Sequence, residues 1–230
     1  MSPGRERTGL LGGTFDPVHE GHVAAAEAAL NALGLDRVLL IPSHLPPHRP
    51  AQPRASAFHR FAMVSLAVGG HPRLAASDVE LQLPGPSFSA VTLRRLLELG
   101  YQPWQLFFIT GTDAFAEIAS WREYPAVLDL AHFVVISRPG QTFDVLYERL
   151  RGLNGRMQLV TAPVVADAGA RSLRIFLVNA ATPDVSSTAV RDRAARGESL
   201  AGLVAPEVER HIRKHRLYGS GPTPTGSGLA

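Results

Sequence analysis

Two stretches of the chain, Leu106–Thr110 (LFFIT) and Phe133–Ser137 (FVVIS), are apolar at almost every position. A strand wetted on one face alternates apolar with polar residues, so a run without alternation must be covered on both faces. Longer stretches with the period of helices separate such runs, and that rhythm belongs to a parallel sheet with helical crossovers. The pattern predicts strands at Thr8–Gly12, Arg37–Pro42, Gln105–Thr110 and His132–Ser137, with weaker ones at Val79–Leu83, Met157–Thr161 and Arg174–Val178. It predicts helices at Glu20–Leu33, Ser56–Val68, Ser89–Leu99, Asp113–Ile118, Phe143–Leu150, Thr188–Ala195 and Pro206–His215. Gly34, Gly100 and Gly197 stand where helix-ending glycines belong. The fold class expected is α/β, a doubly wound, Rossmann-like parallel sheet with helices on both faces, whose ligands sit at the carboxyl ends of the strands.

With 230 residues, 45% of them apolar and 19% charged, the chain can bury one full core, so a single domain over residues 1–218 is expected. The closing GSGPTPTGSGLA, residues 219–230, has almost nothing to bury and reads as a disordered tail. The net charge is +3 and no Lys/Arg run carries interleaved aromatics, which disfavours nucleic acid as a partner. The absence of cysteine excludes disulfides, thiolate catalysis and Cys-based zinc sites, and fits a cytoplasmic protein. No run approaches the ~20 apolar residues that span a bilayer, so no membrane role is expected. Composition leaves a homo-oligomer open.

Chemistry concentrates at strand ends. GGTFDPVHEGH, Gly12 to His22, joins the first strand to the first helix. Glycines let backbone N–H groups approach a ligand and a helix N-terminus favours negative charge, so the junction suits an anion. His19 and His22 are three residues apart, so if the helix has begun by His19 both rings lie on one face of its first turn. Neither G-x-x-x-x-G-K-[ST] nor G-x-G-x-x-G occurs there. A helix-capping loop with surface histidines, or a metal pair with Asp16, remain the blander readings; zincins, however, space their histidines at i, i+4. In SSTAVRDR, Ser186 to Arg193, the serines could be plain N-caps, yet Arg191 falls one turn after Ser187 and Thr188, so hydroxyls, N–H groups and a guanidinium would converge as a polyphosphate requires. IPSHLPPHRP holds His44, His48 and Arg49 in a proline-stiffened loop. FFITGTDAFAEIASWREY places Gly111, Asp113 and Trp121 beyond a buried strand, where Asp113 could cap a helix and Trp121 could be core.

Taken with PPHR, PSFSAVTL, GTDAF, SW, SRPG and PEVERHIRKHRLY, these motifs resemble the HxGH-type nucleotidylyltransferases and, in order and spacing, bacterial nicotinate-mononucleotide adenylyltransferases, over about Thr8 to Tyr218. Two positions depart from that pattern: Phe88 stands where tyrosine is usual, and Arg122 where an aromatic often follows the tryptophan. The resemblance implies transfer of AMP from ATP to nicotinate mononucleotide, giving deamido-NAD and pyrophosphate by direct in-line attack. It implies catalytic roles for His19, His22 and Arg191, and ATP contacts from Gly12, Gly13, Thr14, Phe15, Gly111, Asp113, Ser187 and Thr188. His48, Arg49, Phe88, Ser89 and Trp121 would hold the mononucleotide, and Mg²⁺ would arrive on ATP without a protein cage. Alternatives are an HxGH-type enzyme acting on nicotinamide mononucleotide or pantetheine phosphate, a cytidylyltransferase, a metallohydrolase, or a nucleotide sensor without turnover. His19 argues against the pantetheine-phosphate enzymes, which usually have threonine there.

Overall fold

The computed structural model describes residues 6–46, 53–137, 142–163 and 172–219. His48, Arg49 and residues 220–230 of the expected tail lie outside the described residues. Seven strands form one sheet: β1 (Thr8–Gly13), β2 (Arg37–Pro42), β3 (Leu74–Ala76), β4 (Leu106–Gly111), β5 (His132–Ile136), β6 (Met157–Val160) and β7 (Ile175–Val178). Their order is β3-β2-β1-β4-β5-β7-β6 and every pairing is parallel. The helices are α1 (Glu20–Ala32), α2 (Ala57–Val68), α3 (Ser89–Glu98), α4 (Thr112–Ala116), α5 (Asp144–Arg149), α6 (Ser187–Ala195) and α7 (Pro206–Lys214).

The unbroken apolar runs are explained by two cores, one on each face of the sheet. Phe107, Ile109, Val134, Ile136, Phe176 and Val178 point to the face covered by α1, α2 and α7. Their immediate neighbours Leu106, Phe108, Phe133, Val135, Ile175 and Leu177 point to the face covered by α3, α4 and α5. Successive side chains of a strand alternate faces, so both sets must be apolar at once. The strand order reverses between β1 and β4, which leaves a crevice beyond their carboxyl ends where no crossover covers the sheet.

Helix ends agree with expectation to within one or two residues, and Gly34, Gly100 and Gly197 take the left-handed conformation just past α1, α3 and α6. One expected strand is absent. Val79–Leu83 alternates apolar and polar residues but forms consecutive turns, with the N–H groups of Leu81 and Gln82 both donating to Asp78 O. Its buried Glu80 faces inward to accept a 2.6 Å hydrogen bond from Thr92 Oγ1 of α3. The edge position belongs instead to the three residues of β3, which lie upstream.

His132 is a core residue and not a ligand. It is buried, its ring stacks on Phe107 at 4.7 Å, and its Nδ1 accepts from Arg174 N–H at 3.0 Å. Burial, with Arg156 and Arg174 nearby, lowers its pKa to about 4 from the usual 6.5. Between those values the unfolded chain holds a proton that the fold refuses, so the stabilisation is complete above pH 6.5 and lost as pH falls toward 4. Its full size is about 3 kcal/mol. Urea unfolding at pH 7.5 and 4.5 should therefore show His132→Gln, which keeps an acceptor for Arg174, losing less stability on acidification than the parent. Equal losses would show that His132 is not the titrating group.

Candidate active site

The crevice at the strand-order reversal is a cleft of about 590 Å³. Its walls come from Gly12 of β1, His19, Gly21 and His22 at the start of α1, Thr110 and Gly111 of β4, and Ser186–Thr188 at the start of α6. The N-termini of α1 and α6 thus open onto one space; Glu20 N–H is taken by Leu203 O and His22 N–H by His19 O, which leaves Gly21 N–H of α1 with Ser187 and Thr188 N–H of α6 to face it.

His19 is the N-cap of α1, with extended backbone, and His22 is its third residue. The helix has not begun at His19, yet the two rings still meet, stacked with centroids 3.7 Å apart across the extended N-cap. His22 Nδ1 accepts from His19 N–H at 3.2 Å, which assigns the ring proton of neutral His22 to Nε2 and makes that atom a donor. Phe15 packs edge-on against the His22 ring at 4.9 Å and is itself buried, in the left-handed backbone region at φ 49°. Two glycines sit in tight contact. A Cβ on Gly13 would come within 3.0 Å of the Phe15 ring, and one on Gly21 within 3.1 Å of both His19 Nδ1 and Pro183 O. Gly21 is therefore what allows the histidine turn to lie against the loop after β7.

Across the cleft, Ser186 caps α6 through a hydrogen bond from Ala189 N–H, so the plain capping reading holds for this serine. Ser187 Oγ donates to Pro17 O at 2.9 Å, which joins α6 to the β1–α1 loop and leaves that oxygen to act as an acceptor. Ser187 is thus available to an anion through its backbone N–H while this hydroxyl contact persists. Arg191 meets Thr188 as the spacing predicts but does not itself line the cleft: Nη2 donates to Thr188 Oγ1 at 3.0 Å and Nη1 to Asp16 O at 2.8 Å. Its Nε is shielded from solvent and has no hydrogen-bond partner among the described residues.

The loop that these groups share is held from below by residues the motifs did not single out for that work. Arg60 of α2, fully buried, donates to Thr14 O at 2.6 Å, Ser43 O at 2.7 Å, and Ala55 O at 3.3 Å, tying the loops after β1 and β2 together. Burial pulls the guanidinium below arginine's ordinary value, and Asp16 pulls it back. The buried Asp16 carboxylate accepts from Arg54 N–H, Ala55 N–H and Tyr218 Oη, at 2.9, 3.0 and 2.8 Å. Burial and the neighbouring carboxylate raise the Tyr218 phenol well above its usual range, so it stays a donor. Behind this, α7 packs on α2 through His59, His211 and His215, with His59 Nδ1 3.1 Å from His211 Nε2.

A second chamber of about 420 Å³ shares Ala114 with the first. It is lined by Phe88 and Ser89 at the N-terminus of α3 and by Trp121 and Arg122. Trp121 meets both readings of a lone tryptophan: its edge packs on Phe108 at 5.8 Å, and it still lines the chamber. The two departures from the family pattern touch each other, because the Arg122 guanidinium lies over the Phe88 ring at 4.8 Å.

Not every candidate reaches a chamber wall. Asp113 is exposed in the first turn of α4, beside the wall residue Ala114, and Gly111 rather than Asp113 is that helix's N-cap. Thr14 and Phe15 face the supporting loop through a carbonyl and a buried ring. His44 is engaged in structure: its N–H donates to Ser87 Oγ and its Nδ1 meets Leu83 O at 3.1 Å, fastening the loop before α3. The wall segment Thr182–Val185 was not singled out, although its place after β7, a weakly patterned strand, marked it by the strand-end rule. Among the described residues no group of three or more His, Asp or Glu is placed to hold a metal ion.

The cytidylyltransferase-like family pattern matches residues 10–193. A "Probable nicotinate-nucleotide adenylyltransferase" of Symbiobacterium thermophilum is 38% identical, with 92% of this chain and 95% of that protein aligned. One of the same description from Desulfatibacillum aliphaticivorans is 39% identical over 92% and 99%. The chain belongs to the nicotinate-nucleotide adenylyltransferases, within the cytidylyltransferase-like family. The fold of this family recurs in the nicotinic acid mononucleotide adenylyltransferase of Plasmodium falciparum complexed with NaAD, at TM-score 0.67 and 17% identity over 93% of this chain and 97% of that one. The family's Rossmann-like fold is the doubly wound sheet described above.

Proposed function

We propose that this chain, a single nucleotidylyltransferase domain acting in the cytoplasm, transfers AMP from ATP to nicotinate mononucleotide. A phosphate oxygen of the mononucleotide attacks the α-phosphorus of ATP in line, the bond to the β-phosphate breaks, and pyrophosphate leaves. No enzyme nucleophile takes part, so catalysis consists of holding two anions together and stabilising the charge that moves onto pyrophosphate. The observation that carries this reading is the pair of chambers meeting at Ala114, one lined by two helix N-termini and two histidines, the other by an aromatic platform.

In this reading Gly12, Gly111 and the N–H groups of Gly21, Ser187 and Thr188 receive ATP, His19 and His22 donate to its phosphates, and Arg191 binds the β- and γ-phosphates with Thr188 and the Ser187 backbone. Asp113, beside Gly111, serves the adenosine end; Gly13, Thr14 and Phe15 act through the backbone of the loop they shape. Trp121 stacks on the pyridine ring, the start of α3 at Phe88 and Ser89 receives its substituent, and His48 and Arg49 take the mononucleotide phosphate. Mg²⁺ would be carried by the ATP phosphates and supply positive charge there; the Asp16 carboxylate, engaged by Arg54, Ala55 and Tyr218, would not hold it. EDTA should abolish turnover and Mg²⁺ restore it.

The deciding test is pyrophosphate release from ATP against nicotinate mononucleotide, nicotinamide mononucleotide and pantetheine phosphate. A carboxylate gains about 1.5–3 kcal/mol per hydrogen bond against 0.5–1.5 for a neutral amide, so two contacts give a nicotinate preference of roughly tenfold to several hundredfold in kcat/KM. Stacking is common to both pyridine acceptors, and Trp121→Ala should weaken both while leaving their ratio unchanged. Equal use of the two acceptors, or preference for the amide, would overturn the nicotinate assignment.

A further inference from the structure

We propose that Arg122 is a specificity-determining residue, whose guanidinium selects an acceptor ring bearing a carboxylate over one bearing a carboxamide. The inference rests on the reading of the Trp121 chamber as the acceptor site. Three observations carry it. Arg122 lines that chamber together with Trp121 and Phe88. Its guanidinium is seated on the Phe88 ring at 4.8 Å, and this contact fixes the fork while leaving its N–H groups unused, because a ring face engages the cation and not its donors.

The third observation concerns the neighbouring acids. Glu117, also in the chamber wall, pairs with Arg149 at 2.8 Å, and Glu123 pairs with Arg94 at 2.6 Å. Among the described residues no carboxylate pairs with Arg122, so the chamber presents an uncommitted cation to a bound acceptor. A planar carboxylate on an aromatic ring matches it, since a guanidinium fork binds such a group through two parallel hydrogen bonds. A carboxamide supplies one acceptor oxygen and sets its NH₂ against a second donor. Phe88 contributes by holding the fork and by adding no hydroxyl that would compete for it.

The test is a charge series at this position, with kcat/KM measured for nicotinate and nicotinamide mononucleotide. Arg122 is exposed, so the substitutions leave the core intact. Arg122→Met should lower kcat/KM for the nicotinate acceptor about tenfold, one lost charge-assisted contact, and change the amide acceptor less than about twofold. Arg122→Lys should keep part of the preference and Arg122→Glu should fall below Arg122→Met. A flat ratio across the series, or equal losses for both acceptors, would overturn the proposal. Trp121→Ala, assayed alongside, separates the two failures. If it weakens both acceptors while the charge series stays flat, the chamber is the acceptor site and Arg122 does not select. If it affects neither acceptor, the chamber assignment fails and the role of Arg122 fails with it.

Discussion

His19→Ala and His22→Ala should each lower kcat by about 10²–10³ while leaving the fold intact, the usual loss when one preorganised donor to developing charge is removed. The stacked rings at 3.7 Å share a single wall of the cleft, so the two donors act on one group and the double variant should lose less than the product of the single losses. His22 also has a structural duty, because its Nδ1 accepts the His19 N–H. His22→Asn, which offers both an acceptor and a donor, should therefore recover stability in a thermal melt and part of the rate. A folded double variant turning over at the parent rate would remove both residues from the mechanism.

Arg191→Lys should lower kcat/KM for ATP by about 10- to 100-fold, because lysine keeps the charge and loses the fork. The guanidinium bridges Asp16 O and Thr188 Oγ1 at once, which a single ammonium on a flexible stem does not reproduce. Since the residue is assigned to the β- and γ-phosphates, the inhibition constant of pyrophosphate should rise with the KM for ATP, and the KM for the mononucleotide should not. Unchanged ATP kinetics and unchanged pyrophosphate inhibition would show that Arg191 does not bind the triphosphate.

Where a feature arises from local spacing, it could be read from the sequence. The double-sided burial of β4 and β5 follows from runs without alternation, and the nearness of His19 and His22 from their interval, although they meet across an extended N-cap and not within a helical turn. The same logic misreads Val79–Leu83, whose alternation answers to a buried Glu80 paired with Thr92 rather than to a sheet face. It passes over β3, whose three residues are too few to show a period. Nor did the motif at Ser187 reveal that the hydroxyl is engaged with Pro17, a residue far away in the chain. Arg60, Asp16 and Tyr218 were beyond local reading for the same reason: a buried arginine inside a helix and a tyrosine near the chain's far end acquire meaning only when the fold brings them under one loop. The Phe88–Arg122 contact is of this kind too. Each looks like an isolated departure until the two are seen face to face.

The hydrogen bond from Tyr218 to Asp16 spans 202 residues and joins the last turn of the chain to the first loop. During synthesis the β1–α1 loop is made early, yet the phenol that donates to its carboxylate is made 202 residues later, about 10–40 s at ordinary elongation rates. Through that interval the loop has only its other ties, among them Arg60 to Thr14 O and the Arg54 and Ala55 N–H groups to Asp16. The Asp16 carboxylate therefore reaches its full set of donors, two backbone N–H groups and the phenol, only once residue 218 has been made.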